Sequence, residues 1–370
     1  MARGRYVLVA AASIVAAVAI LNRFGSAELG GSGTAGDARS RANDNNIDHN
    51  DNKHNKKNIK NKNNNNNNNN NKNNNNENNN NKKRAGSGTS GGAAPAVPSA
   101  GLGRSVEIFG AANALGFGIS AATGSQLHLD LLGTGAFVAV AAATQGSDLR
   151  SRLSAVAVAL WATRLTSFLV YRALQPGATD PRLDGVLSST QGQLGFWAVS
   201  LFWGVVTALP HTLGAAVLSA RPGLGWGAAV AGAMYATGLA WEAIGDWQKW
   251  QFIHDPANKG KFCDVGLWGL SQHPNYFGNL CLWSGIFLWN APVLASRAAG
   301  HALLLPLWRQ RRLLLAGMSP LFLGSLFYGQ ASGKISNSVE LTQRRFGANP
   351  GFKSYMEQTP LIVPNVALWT

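Results

Sequence analysis

The stretch Leu194–Ala220, LGFWAVSLFWGVVTALPHTLGAAVLSA, contains no Asp, Glu, Lys or Arg. A helix of that length on a water-soluble protein would carry a polar face; this one has none, so its expected solvent is a lipid bilayer. Working outward, comparable apolar stretches follow one another from Val106 onward, separated by short polar clusters. The pattern predicts helices near 107–122, 127–144, 152–174, 194–219, 224–245, 276–296 and 313–330. The expected fold class is therefore all-α, a polytopic membrane helical bundle of six or seven spans. The first two helices are rich in Gly and Ala, which suits close backbone approach where lipid removes the hydrophobic drive.

Upstream of this domain the chain reads differently. Residues 1–27 place Arg3 and Arg5 before an apolar run from Tyr6 to Leu21, the layout of a signal peptide or targeting segment. Residues 28–104 read as a disordered, asparagine-rich, low-complexity linker, too poor in apolar side chains to offset the cost of ordering the backbone. The membrane domain is expected over 105–370. The formal charge of +15 would suggest nucleic acid, but Arg39–Arg84 holds 11 Lys and Arg against 4 Asp and Glu. Nearly half the surplus thus belongs to a solvated tract without aromatics, and no nucleic-acid partner is expected. Two cysteines, Cys263 and Cys281, lie in no metal-ligand spacing, so neither a disulfide framework nor a metal site is expected. Basic residues orient the last spans. Lys249, Lys259, Lys261, Lys334, Arg344, Arg345 and Lys353 fall on one side and Arg297, Arg309, Arg311 and Arg312 on the other, which favours a cytosol-like face for the first set.

Three polar clusters share that face. In the first, Glu242 and Asp246 stand four residues apart on one side of a helix, with Gln248 and Lys249 after them. Carboxylates at membrane depth line a cavity, unless they merely end a helix in water, and position alone does not decide between the two. The second is GLWGLSQHPNYFGN at 266–279, in which Pro274 is placed to open a helix and Asn275, Tyr276 and Asn279 fall in its first turns. Free N–H groups and the positive dipole end favour an anion such as phosphate there. The third carries Glu340, Arg344, Arg345, Lys353 and Tyr355, with arginines suited either to bidentate phosphate contact or to lipid headgroups.

Taken together, Glu242…Asp246-x-Gln248-Lys249, then Gly-x-Trp-x-x-Ser-x-His-Pro-Asn-Tyr-Phe-Gly at 266–278, then Glu340…Arg344-Arg345…Pro350-Gly-Phe…Tyr355…Thr359-Pro360 resemble a family of uncharacterised membrane proteins with a steroid 5-alpha-reductase-type carboxyl-terminal domain. The segment Leu160-Trp161-Ala162-Thr163-Arg164-Leu165 through Asp180-Pro181-Arg182 is similar to the same family's earlier half, so the resemblance covers about 106–366. It implies an oxidoreductase that holds NADPH in a cytosol-facing cavity and reduces an activated carbon–carbon double bond in a lipid or steroid-like substrate. It further implies cofactor-binding roles for Glu242, Asp246, Lys249, His273, Asn275, Tyr276, Asn279, Arg344, Arg345 and Tyr355. Tyr276 is the candidate catalytic donor to a substrate carbonyl, by its chemistry. Two positions depart from the family pattern, Gln272 where an Arg is common and Asn279 where an acid is common.

The His-Pro-x-Tyr-x-Gly turn is similar also to membrane methyltransferases acting on isoprenylated cysteine or phospholipids, which implies S-adenosylmethionine as the alternative cofactor. A bundle that binds lipid without catalysis is a third reading. The expected partners are the bilayer and a hydrophobic small molecule; the expected location is the endoplasmic reticulum membrane, with a plastid membrane as alternative. Two matches to G-x-G-x-x-G, at Gly31–Gly36 and Gly86–Gly91, lie in linker without a strand before them, and are chance matches.

Overall fold

The computed structural model describes residues 100–176, 181–217, 222–296, 310–335, 338–365 and 367. The expected targeting segment, most of the expected linker, and Arg297 and Arg309 of the charge comparison lie outside them. The regular secondary structure of the described residues is entirely helical, without a strand. The helices are α1 (Ala100–Thr123), α2 (Leu129–Gly133), α3 (Ala136–Thr144), α4 (Leu149–Ala173), α5 (Pro181–Leu187), α6 (Thr190–Ala215), α7 (Trp226–His254), α8 (Leu267–Leu270), α9 (Pro274–Leu294), α10 (Arg311–Ala331), α11 (Ser338–Phe346) and α12 (Pro350–Gln358). Five of them, α1, α4, α6, α9 and α10, are long and apolar enough to cross a membrane. The chain is an integral membrane protein built as an all-α bundle.

Several boundaries follow from local chemistry. Asp148 accepts from the Ser151 N–H at 3.0 Å and Ser189 from the Gly192 N–H at 3.1 Å, capping α4 and α6. Pro274 occupies the first turn of α9, where its missing N–H costs nothing. Elsewhere the bounds moved. Helix α1 begins at Ala100, about two turns before its expected start, and Gly101 there lies against the Thr212 carbonyl of α6. The expected helix over 127–144 is two helices, with Gly135 tight against the Leu131 carbonyl and i→i+3 bonds at the joint. The helix expected to stop at 245 continues to His254, so Glu242 and Asp246 lie inside α7 rather than at its end.

Helix α7 runs antiparallel to α9 along its whole length, and glycine makes the approach possible. A methyl on Gly238 would stand 2.6 Å from the Gly278 carbonyl oxygen, and one on Gly278 would stand 2.7 Å from that of Gly238. Gly285 sits equally close to the backbone of Ala231 and Tyr235. Close backbone contact supplies the packing that lipid cannot drive by hydrophobicity. The bundle's centre is aromatic: the Phe109, Trp161 and Trp283 rings lie 4.8, 5.1 and 5.7 Å from Phe137.

The two ends of the bundle differ. At one end Asn290 donates to Ser154 at 2.9 Å, Ser154 meets His211 Nδ1 at 3.0 Å, and His211 Nε2 meets Thr144 at 3.1 Å. The Thr144 hydroxyl itself donates to the Val140 carbonyl at 2.7 Å, so His211 Nε2 carries the proton and Nδ1 accepts from Ser154. This end is closed, with Arg150 donating to the Gly223 carbonyl at 2.9 Å. The other end, where α4 and α7 finish and α9 begins, holds the polar clusters.

Candidate functional site

The site is built on α7. Glu242 is buried and accepts from Trp161 Nε1 at 3.1 Å and Asn279 Nδ2 at 3.2 Å. One turn on, Asp246 pairs with the Arg164 guanidinium at 2.8 Å and accepts from Asn275 Nδ2 at 3.1 Å. Arg164 also lies 3.5 Å from Glu242 Oε1 and 3.4 Å from the Glu242 carbonyl oxygen. Two carboxylates in apolar surroundings are tolerable only when their lone pairs are filled, and here α4 and α9 fill them from either side. The helix-end alternative for Glu242 and Asp246 is thereby removed.

Beyond Asp246 opens a hollow of about 1060 Å³. Its wall includes Asp246, Lys249, His273, Asn275, Tyr276, Arg345 and Tyr355, seven of the residues singled out from sequence. That volume is at the upper end of the roughly 300–1,000 Å³ usual for small-molecule sites. Arg172, Lys259 and Lys261 join Lys249 and Arg345 there, while Asp246 and Asp255 are the acidic members. Five basic side chains against two acidic ones, one of them already paired with Arg164, make the lining cationic. Its roof is aromatic, with Phe262 packed against Phe352 at 5.3 Å, Tyr355 at 5.5 Å and Phe346 at 6.1 Å.

Within the hollow, the Tyr276 ring stacks between His273, at 4.8 Å, and Phe327, at 4.6 Å, all nearly parallel. Burial, with Lys249 adding to it, pushes His273 down to about 4, so its imidazole is neutral at pH 7. The Lys249 ammonium lies 3.9 Å from the centre of the Trp268 ring. Tyr355 donates to the Trp268 carbonyl at 2.9 Å, and burial holds its phenol well above the ordinary range. Cys263 is likewise pushed up by burial and is a protonated thiol.

Three expected residues are not in the hollow. Glu242 and Asn279 stand behind its wall, holding the carboxylate network. Arg344 is exposed on α11 and pairs with Glu340 at 2.6 Å; Arg345, also exposed, is the one of the two that lines the hollow, at its rim. The two departures from the family pattern now have structural roles. Asn279 donates to Glu242, where an acid would add a further negative charge. Gln272 donates through Nε2 to the Thr359 carbonyl at 2.6 Å and the Met356 carbonyl at 3.0 Å, and its N–H donates to Pro360 at 2.9 Å. With Ser271 donating to Ile362 at 2.7 Å, it fastens the segment after α12 across the α8–α9 turn.

Arg164 and Trp161 are the partners that the sequence reading passed over. Their signal was present, since an arginine inside an otherwise apolar span is expensive and needs a named counter-ion. Phe262, Lys259 and Lys261 were also missed as lining residues, because the loop between α7 and α8 has no periodicity to place them.

Residues 116–359 match the family described as a protein of unknown function, DUF1295. No curated protein and no solved structure matches the chain. The match spans α4, α7, α9 and α11, the helices that carry the hollow's polar wall, and on it the chain belongs to the DUF1295 family.

Proposed function

We propose that the chain is a membrane-embedded reductase that binds NADPH in the cationic hollow and reduces an activated carbon–carbon double bond of a lipid or steroid-like substrate. The observation carrying this reading is the meeting of Asp246, Lys249, His273, Asn275, Tyr276, Arg345 and Tyr355 around one hollow, although they are scattered over more than a hundred residues of sequence. A dinucleotide phosphate is polyanionic, and Lys249, Lys259, Lys261 and Arg345 supply charge of the required sign. S-adenosylmethionine, whose sulfonium is cationic, suits such a surface less well, which favours reductase over methyltransferase.

NADPH would supply a hydride, two electrons and one proton together, to the β-carbon of an enone, with the second proton, to the α-carbon, drawn from solvent. The chain's own part is positioning and polarisation. Arg164 and Asn275 fix both oxygens of Asp246, so that carboxylate offers one orientation to a ligand. The stacked rings of His273, Tyr276 and Phe327 make a rigid flat surface, and Tyr276 is the phenol available to donate to a substrate carbonyl. Phe262, Phe346 and Phe352 limit water access from above. The endoplasmic reticulum is the proposed membrane, on the signal-like amino terminus and the basic surplus of this face; a fluorescent fusion in plastids instead would overturn that assignment.

The deciding measurement is titration of the full chain in detergent with NADPH and, separately, with S-adenosylmethionine. NADPH binding that disappears in His273→Ala and Asn275→Ala, with both variants still monodisperse, supports the reading. Saturable S-adenosylmethionine binding without NADPH binding sinks it. NADPH binding that no enone-containing lipid extract ever consumes assigns the hollow to binding without catalysis.

A further inference from the structure

A second groove adjoins the hollow at the α7 end, with a volume of about 870 Å³, and shares Trp250, His254, Asp255 and Asn258 with it. Tyr171, Trp247, Gln248, Gln251, Phe252 and Val265 complete its walls, Asp255 is the lining's only carboxylate, and the lining contains neither Lys nor Arg. The Tyr171 and Trp250 rings meet at 5.4 Å, and the His254 ring lies 3.6 Å from that of Trp250. Trp247, one turn before Trp250 on α7, is 52 % exposed. Arg172, next to Tyr171, lines the cationic hollow instead. No Lys or Arg side chain pairs with Asp255 among the described residues; one carboxylate oxygen accepts from the Ala257 N–H at 2.9 Å.

The depth of this groove fixes what it meets. The membrane helix α4 ends at Ala173, two residues after Tyr171, and α9 begins at Pro274 on the same side. Interfacial tryptophan and tyrosine at such a level face lipid headgroups. Trp250 is itself buried beneath Tyr171 and His254, so the open rings are Trp247 and His254. Exposed rings on a lining with a single carboxylate suit a quaternary ammonium, whose methyl-covered charge needs no hydrogen-bond acceptor. An anionic group finds no Lys or Arg on this lining, since the nearest cations open into the neighbouring hollow.

The geometry points to this groove as a binding site for the choline group of a zwitterionic phospholipid. The site stands independently of what the hollow binds, so failure of the reductase reading leaves it untouched. Trp250, His254, Asp255 and Asn258 line both spaces, which places the bound headgroup against the wall of the hollow.

The test is lipid retention by the full chain, delipidated in maltoside detergent, offered equimolar dioleoyl phosphatidylcholine and dioleoyl phosphatidylglycerol, and read by native mass spectrometry. Phosphatidylcholine should be retained about three- to tenfold over phosphatidylglycerol, the range expected of an aromatic site for a cation. Asp255→Asn keeps an oxygen for the Ala257 N–H while removing the charge, and Trp247→Ala removes an exposed ring; each should erase the preference without changing monodispersity. Equal retention of the two lipids, or a preference that survives both substitutions, overturns the assignment.

Discussion

Arg164, in the middle of α4, bonds Asp246 of α7 at 2.8 Å and stands 3.5 Å from Glu242, so a single guanidinium serves both carboxylates of the site. Replacing it by Met should destabilise the folded protein by about 3–5 kcal/mol, the usual result of leaving a buried charge without its partner. The check is the melting temperature in detergent, and Glu242→Gln should soften the loss by removing one of the stranded charges. If Arg164→Met melts like the parent, the network is not what holds α4 to α7.

The two neighbouring arginines of α11 offer a sharper contrast. Arg345→Ala should weaken NADPH binding about tenfold or more, as expected for loss of a charged contact to phosphate. Arg344→Ala removes only an exposed pair with Glu340, of the kind that contributes about 0–1 kcal/mol, and should bind as the parent does. Fluorescence titration reads both, and equal effects would contradict a role for Arg345 at the rim of the hollow.

Helix contact depends on absent side chains. Gly238→Ala and Gly278→Ala each press a methyl into the opposite backbone and should cost about 1–3 kcal/mol each by overpacking. Gly232, on the same helix with only the Trp289 ring near it at 3.8 Å, should accept alanine with little change in melting temperature.

Acid should act through His273. Its folded value of about 4 lies below the ordinary 6.5, so between those limits the unfolded chain takes up a proton that the folded one refuses. The associated stability is complete above about pH 6.5 and declines as pH falls toward about 4. Denaturation series across that window should show a shallower decline in His273→Gln than in the parent, and identical slopes would count against a neutral, buried imidazole.

Much of the fold was legible because its signal is one-dimensional. Long runs without charge, such as Leu194–Ala220, fix the presence of a span whatever its neighbours do, and Pro274 marks a helix start in the sequence itself, whereas the caps Asp148 and Ser189 went unread and the starts of α4 and α6 were placed a few residues late. The site was half legible. His273, Asn275 and Tyr276 are adjacent in the chain and their motif survives as a wall, yet the division between Arg344 and Arg345 turns on the rotation of one short helix. Arg164 was harder still, because a counter-ion some eighty residues away is chosen by tertiary packing. The end of α7 was misplaced for a related reason: Glu242 and Asp246 look like an interface in the sequence and become interior positions only once α4 and α9 have satisfied them.

The fastening of the last segment by Gln272 and Ser271 bears on how the molecule is made. Arg164, Asp246 and Asn275 are all synthesised well before Phe346, Phe352 and Tyr355, so the ionic floor is complete while the hollow still lacks its cover. A chain cut after residue 335 would therefore keep the bundle with an open polar bowl, and only residues 338–365, once tied down, turn that bowl into a chamber.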